Sequence, residues 1–215
     1  MFVSNWMTKN VFAVTPDDSI SDAIRLLKEK GIKHLPVVEG DRIRGILSDR
    51  DIKEFTPSKA TTLDIYELHY LLAKTKIKEV MKKQVITTTP DTPIEEAAMI
   101  LYDRNIGCLP VVENERLVGI ISEKDIFRTL IDITGIRKGG HRINVIVSDR
   151  PGSIKEVADM IRKYGFMLQS ILTSYEGLKE GYRNIVIRTK GTGDFESLQA
   201  ELEKTYKDII IRKGS

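Results

Sequence analysis

The sequence is poor in the residues that build covalent or metal frameworks. Among 215 residues there is one cysteine, Cys108, so no internal disulfide can form and a reducing, cytoplasmic setting is expected. The three histidines, His34, His69 and His141, are far apart and have no zinc-type spacing. Asn and Gln are scarce beside Lys, Glu and Arg. No apolar run approaches the roughly 18 residues of a membrane span. Residues 1–10 lack a basic segment followed by an apolar stretch, so neither a membrane anchor nor a signal peptide is expected. Charge of one sign is missing too: 34 Lys+Arg against 31 Asp+Glu give +3. That balance, with no legible basic stripe or helix-turn-helix, argues against a nucleic-acid partner. Gly-x-Ser-x-Gly, Gly-x-x-x-x-Gly-Lys-Ser/Thr and paired-His motifs are absent, so catalysis is not expected. The acidic pairs Asp17-Asp18 and Glu95-Glu96 lie near expected helix starts, where the helix dipole accounts for them.

What is present is a duplication. Residues 6–52 written above 80–126 align without a gap at an offset of 74, with 21 identities in 47 positions. Met7 falls on Met81, Pro16 on Pro90, Ala23 on Ala97 and Gly45-Ile46 on Gly119-Ile120. Two copies are too few for a solenoid and suggest two alike units about a pseudo-twofold axis. Each copy reads β-α-β-β-α. A β-rich run (11–15; 85–89) ends at Pro. An amphipathic helix follows, with Ile20, Ala23, Ile24 and Leu27 on one face, Ser19 as N-cap and Gly31 as stop. In the second copy Thr92 is the expected cap, Pro93 the first helical position, and Ile94, Ala97, Ala98 and Leu101 the face. Two strands come next, His34–Glu39 and Arg42–Ser48, then Cys108–Glu113 and Arg116–Ser122, across turns at Gly40-Asp41 and Asn114-Glu115. A last helix starts at Ser48-x-x-Asp51 and Ser122-x-x-Asp125. Between the copies, 62–76 reads as an amphipathic helix through Leu63, Leu68, Leu71 and Leu72.

The strings His-Leu-Pro-Val-Val-Glu…Gly-Ile-Leu-Ser-Asp-Arg-Asp-Ile and Cys-Leu-Pro-Val-Val-Glu…Gly-Ile-Ile-Ser-Glu-Lys-Asp-Ile resemble a tandem cystathionine-β-synthase (CBS) domain pair, or Bateman module. The resemblance covers residues 1 to about 135.

Residues 135–140 are Gly-rich and basic and read as a linker. Beyond them a strand (Arg142–Ser148), a helix (153–164) stopped by Gly165, two strands (167–176 and Tyr182–Lys190), a helix (195–206) and a strand (208–213) give β-α-β-β-α-β, a split-βαβ, ferredoxin-like order. The strand-Asp-Arg-Pro-Gly-Ser-Ile-helix string resembles an ACT domain, which implies amino-acid binding between paired domains, with Asp149 and Gly152 at ligand-loop positions. Met167 stands where those relatives often carry a polar Asn, and the Arg-Pro-Gly loop also reads as a plain turn serving dimerisation. The expected fold class is therefore α+β: repeat 1 over 1–61, a connecting helix over 62–76, repeat 2 over 77–134, a linker over 135–140 and an ACT domain over 141–215. That domain order is similar to AcuB-type proteins associated with acetoin utilisation.

A helix N-terminus offers free N–H groups and the positive end of a dipole, suited to phosphate. Ser48 and Ser122 can donate to phosphate, and Asp51 and Asp125 can accept both hydroxyls of a ribose. Arg50 and Lys124 can add positive charge. The same Ser-x-x-Asp also reads as a capping-box variant needing no ligand. The resemblance implies further cleft residues just before each Pro-Val-Val strand: Ile32, Lys33 and His34, and Ile106, Gly107 and Cys108. Cys108 itself reads as a small buried hydrophobe, and His34 also reads as an ordinary strand residue. The family implies an adenosine ligand, AMP, ADP, ATP or S-adenosylmethionine, and a homodimer with a possible partner enzyme. The expectation is a non-catalytic, allosteric sensor; the alternatives are a dimerisation module with vestigial clefts and an amino-acid sensor acting through the C-terminal domain.

Overall fold

The first helix begins where Ser19 can cap it. In the computed structural model, which describes residues 1–56 and 64–214, the Ser19 hydroxyl accepts the Asp22 N–H at 3.1 Å. Helix α1 (Ile20–Lys30) buries Ile20, Ala23 and Leu27 and ends at Gly31, whose φ of 62° suits a residue without a Cβ. Strands β1 (His34–Glu39) and β2 (Arg42–Ser48) form an antiparallel hairpin. Helix α2 (Asp49–Phe55) follows, then α3 (Ile65–Lys74) and the single turn α4 (Ile77–Val80). The second repeat supplies α5 (Ile94–Arg104), the hairpin β3 (Cys108–Glu113) with β4 (Arg116–Ser122), and α6 (Glu123–Ile133). Leu72 of α3 is buried, as its periodicity predicts; the boundary expected at 61/62, and Thr62 and Leu63 of the expected helix, lie outside the described residues.

Two local expectations are corrected. The runs 11–15 and 85–89 are not strands; each makes one parallel bridge, Val14 to Val37 and Thr88 to Val111. Pro36 and Pro110, beside those bridges, offer a carbonyl but no N–H, so the pairing cannot extend as a ladder. Thr92 does not cap α5. Pro93 holds the N-cap position with an extended ψ of 141°, and the Thr92 hydroxyl bonds Thr88 Oγ1 at 2.9 Å instead.

The chain divides into two compact units, Met1–Ile126 and Phe127–Ser215. Within the first, the repeats exchange their leading segments. Thr8 exchanges both backbone hydrogen bonds with Ile120 of β4, and Lys82 does the same with Ile46 of β2. Val3 bonds the Thr92 carbonyl and Ile77 the Asp18 carbonyl, each at 2.9 Å. Every pair is related by the offset of 74. The cores are swapped likewise: Val3 packs with Ile94, Leu101, Leu109 and Ile121, and Ile77 with Ile20, Leu35, Leu47 and Leu72. Gly45 and Gly119 have no room for a Cβ because Met81 and Met7 lie across them, Sδ 2.5 Å from each virtual carbon.

In the second unit, β5 (Arg142–Ser148), α7 (Ser153–Lys163), β6 (Met167–Ser174), β7 (Tyr182–Lys190), α8 (Phe195–Thr205) and β8 (Ile209–Arg212) form the β-α-β-β-α-β order expected. The four-stranded antiparallel sheet runs β6-β7-β5-β8, and Ile143, Val145, Ile185 and Ile187 alternate onto the face that packs with Val157, Ile161, Leu198 and Leu202. Residues 135–140 contain one 3-10 turn, Ile136–Lys138.

Ile77 is fully buried in a core to which its own repeat contributes little. Ile77→Ala is expected to cost about 2–5 kcal/mol, read as a lower denaturant midpoint at unchanged slope. A loss below about 1 kcal/mol would show that the exchanged segment is not part of the core.

Candidate functional site

The site grows from the end of β2. The backbone N–H and hydroxyl of Ser48 both donate to Asp51 Oδ2, at 2.8 and 2.5 Å, and the Asp51 N–H returns to Ser48 Oγ at 3.2 Å. This is a closed capping box on α2. The other oxygen, Oδ1, faces Lys82 Nζ at 3.0 Å, a cation delivered by the exchanged segment of repeat 2. Asp51 is only 6% exposed. Burial opposes its charge, but the Ser48 hydroxyl and the Lys82 ammonium outweigh it and hold the carboxyl below its usual range.

Beside this corner, His34 at the start of β1 stands in register with Ser48, and Gly107, just before β3, comes up against it. A Cβ on Gly107 would meet the His34 ring at 2.7 Å, so the glycine leaves the space that the imidazole fills. Burial pushes the His34 pKa down; the nearby carboxylates of Asp51 and Glu123 pull it up without cancelling that, and Lys33 adds to the lowering. Burial, with Glu123 nearby, pushes the Cys108 thiol up to about 12, so it is not a thiolate nucleophile at neutral pH.

Together these groups line a cleft of about 480 Å³. Of the predicted residues, Lys33, His34, Ser48, Arg50 and Asp51 come from repeat 1, and Ile106, Gly107 and Cys108 from repeat 2. Ile32, Ser122, Lys124 and Asp125 lie outside this lining. Ser122 and Asp125 make their own corner, with the Ser122 N–H and hydroxyl donating to Asp125 Oδ2 at 2.9 and 2.7 Å; Ile32 packs against the repeat 1 core. Sequence reading missed Ile46, Asp49, Lys53, Lys82, Gln84, Val85, Ile86, Asn105 and Glu123 of the lining. For Lys82, Gln84, Val85 and Ile86 the reason is that the second copy's leading segment crosses to β2.

In the C-terminal unit Asp149 accepts the Nε–H of Arg183 at 2.6 Å, and Gly152 takes a φ of 91° at the N-cap of α7. Gly152, with Arg150, Arg162 and Arg183, lines a shallow cleft of about 470 Å³. Among the described residues no group of three His, Cys, Asp or Glu side chains is placed to hold a metal ion, and no helix is long and apolar enough to cross a membrane.

Comparison with known proteins places this arrangement. The CBS domain family matches twice, over residues 3–57 and 77–132. An uncharacterized protein of Methanocaldococcus jannaschii is 36% identical over 139 residues, covering 63% of this chain and 46% of the relative. A homoserine O-acetyltransferase of Methanosalsum zhilinae is 39% identical over 58% of this chain, but over only 23% of its own length. This chain therefore spans less than half of either protein. A CBS domain-containing protein of Dictyostelium discoideum, 30% identical, is matched over 93% of its length and 62% of this chain. Among solved structures, a Vibrio cholerae protein described under acetoin utilization (AcuB) is 28% identical with a TM-score of 0.54 over 64% of this chain and 96% of its own. CBSX2, solved with AMP, is 26% identical with a TM-score of 0.53 over 61% and 97%. The CBS domain pair of protein MJ0100, solved with 5′-methylthioadenosine and S-adenosyl-L-methionine, is 28% identical with a TM-score of 0.50 over 60% and 99%.

The depressed His34 pKa fixes a pH dependence. Above about pH 7 the imidazole is neutral in folded and unfolded chains alike and adds nothing. Below about 6.5 the unfolded chain takes up the proton first, so stability falls until the native pKa is passed. Unfolding titrations between pH 5 and 8 should show wild type losing stability relative to His34→Gln below about pH 6.5, with a constant difference above pH 7. Parallel curves across the whole range would refute the assignment.

Proposed function

The chain belongs to the CBS domain family, and we propose that it is a non-catalytic regulatory sensor that binds an adenosine-containing ligand in the cleft between its repeats. One observation carries the reading: the Ser48–Asp51 corner of repeat 1 and the residues 106–108 of repeat 2 converge on one cleft whose 480 Å³ suits a small ligand. CBS pairs of the same fold have been solved with AMP and with S-adenosyl-L-methionine and 5′-methylthioadenosine, so AMP, ADP, ATP and S-adenosylmethionine are the ligands proposed here. In this reading Asp51 accepts the ribose hydroxyls, exchanging the Ser48 hydroxyl for ligand. Ser48, Arg50, Lys33 and Lys82 meet phosphate or other charge, and Ile106 packs on the base. Ser122, Lys124, Asp125 and Ile32 would serve the pseudo-symmetric cleft. There Thr8 takes the place of Lys82, so weaker attraction for an anionic ligand follows.

Residues 141–215 are read as an ACT-type regulatory domain of AcuB-like arrangement, supported by the β-α-β-β-α-β order and the Asp-Arg-Pro-Gly loop. Asp149 is already engaged by Arg183, which speaks for a fixed turn there over an amino-acid site. Coupling between the cleft and this domain or a partner would be as large as the ligand's differential affinity for two conformations, and no larger. A homodimer is part of the proposal. Tyr66 and Tyr70 of α3 and Met99 and Tyr102 of α5 stand 58–86% exposed, large side chains that a second copy would cover.

Calorimetry of the full chain with AMP, ATP and S-adenosylmethionine is expected to give saturable binding of at least one. Asp51→Asn, which keeps the shape of the cap, should weaken it tenfold or more, about 1.4 kcal/mol. No heat with any of the three, and no adenosine compound released from the purified protein, would overturn the reading. Sedimentation at micromolar concentration should give a dimer; a monomer would remove that part of it.

A further inference from the structure

The face of the C-terminal sheet turned away from α7 and α8 carries three arginines in one row. Arg142 of β5 is paired in register with Arg188 of β7 on one side and Arg212 of β8 on the other. Residues directly opposite in antiparallel strands share a face, so three arginine side chains leave neighbouring strands on the same face, and like charges so placed destabilise a sheet. Ser170 of β6 continues the row, opposite Arg188. Many of the other arginines are neutralised: Arg25, Arg44, Arg150, Arg162 and Arg183 each reach a carboxylate. Among the described residues no carboxylate pairs with Arg142, Arg188 or Arg212. Arg188 is nonetheless held in place, its Nε–H donating to the Thr134 carbonyl at 3.1 Å and its Nη1–H to the Gly140 carbonyl at 3.2 Å. The row, with Lys213, lines a cleft of about 580 Å³ whose floor includes Leu172 and Val186.

We infer that this cleft is a binding site for a small ligand with two or more oxyanion groups, phosphate or carboxylate, and an apolar part that rests on Leu172 and Val186. The planar guanidinium fork takes either oxyanion through two parallel hydrogen bonds, and a held Arg188 loses little freedom in doing so. A second copy of the chain packed face to face would bring two identical cationic rows together, which argues against self-association here. The cleft lining has no aromatic ring on which bases could stack, which argues against single-stranded nucleic acid. The site lies wholly in the C-terminal unit and does not depend on the adenosine reading.

Titration calorimetry of the full chain tests it, with tripolyphosphate and citrate as probes, the two arms separating phosphate from carboxylate preference. At least one should bind saturably and raise the melting temperature. The double variant Arg142→Gln/Arg212→Gln should lose tenfold or more in affinity. In probe-free, low-salt buffer its melting temperature should equal or exceed that of wild type, because a repulsion has been removed. Its response to adenosine, which carries no phosphate, should be unchanged, so failure here and failure of the adenosine reading are distinguishable. No saturable binding of either probe at millimolar concentration, affinities untouched by the double substitution, or tighter binding of a single-stranded oligonucleotide than of both probes would overturn the proposal.

Discussion

Neither repeat closes its own core. The strand bond from Lys82 to Ile46 and its twin from Thr8 to Ile120, with Ile77 and Val3 seated beneath them, make each half depend on the leading segment of the other. Burying one such aliphatic side chain is worth about 1.5–3 kcal/mol. Domains are stable by only a few times that, so the exchanged contacts are not decoration. The reciprocal ion pairs at the hairpin tips, Arg42 with Glu115 and Arg116 with Asp41, obey the same offset. They are exposed and worth well under 1 kcal/mol each. The apolar exchange and the backbone bonds therefore hold the pair together, and the charges only follow its symmetry.

The seam that this exchange creates is where the cleft lies. Lys82 reaches Asp51 because its own backbone is bonded to β2, so the cation is fixed by a strand bond and not by side-chain chance. The hydrogen bonds that make Asp51 a capping residue are also those that keep its carboxylate charged and oriented while nearly buried. The capping and binding readings thus describe one set of atoms, and a ligand's hydroxyls would replace the Ser48 O–H as donor to Asp51 without uncovering the helix end, since Ser48 Oγ can still accept the Asp51 N–H. Symmetry of backbone does not carry over to chemistry. By the offset of 74, Lys33, His34 and Lys82 answer to Gly107, Cys108 and Thr8, and of these six all but Thr8 line the one cleft. Gly107 is small because His34 occupies its space, which is a relation between unlike partners that an exact duplicate could not have had.

Much of this architecture was legible in the sequence for a physical reason: caps and stops are local. Ser19, Gly31, Ser48 and the alternation of Ile143, Val145 and Val147 act within a few residues, and helix and strand bounds from 142 onward came out within about two residues. The 11–15 and 85–89 runs misled because their β-rich composition is satisfied by one bridge against a proline-interrupted edge, a tertiary fact. Thr92 misled because a Thr before Pro has a competing partner, Thr88, four residues back. For the cleft, residues next to the motifs were readable, whereas Lys82, Gln84 and Ile86 were not. Their place depends on which repeat a segment crosses to, and the ungapped offset records that the copies are alike without saying that they trade ends.

Local rules are broken in a few places, and these carry the most information. Glu115 sits at a φ of 65°, unfavourable for a residue with a side chain, yet it lies where the second hairpin turns and its carboxylate meets Arg42. The arginine row breaks the rule against like charges in register without any such local return among the described residues. A sheet that needed only to be stable would carry Thr, Glu or Lys-Glu pairs there, and the opposite face of the same sheet shows how well this chain can pack when packing is all that is required. Strain that stability does not explain is best assigned to a bound state, in which the missing negative charge is supplied from outside the fold.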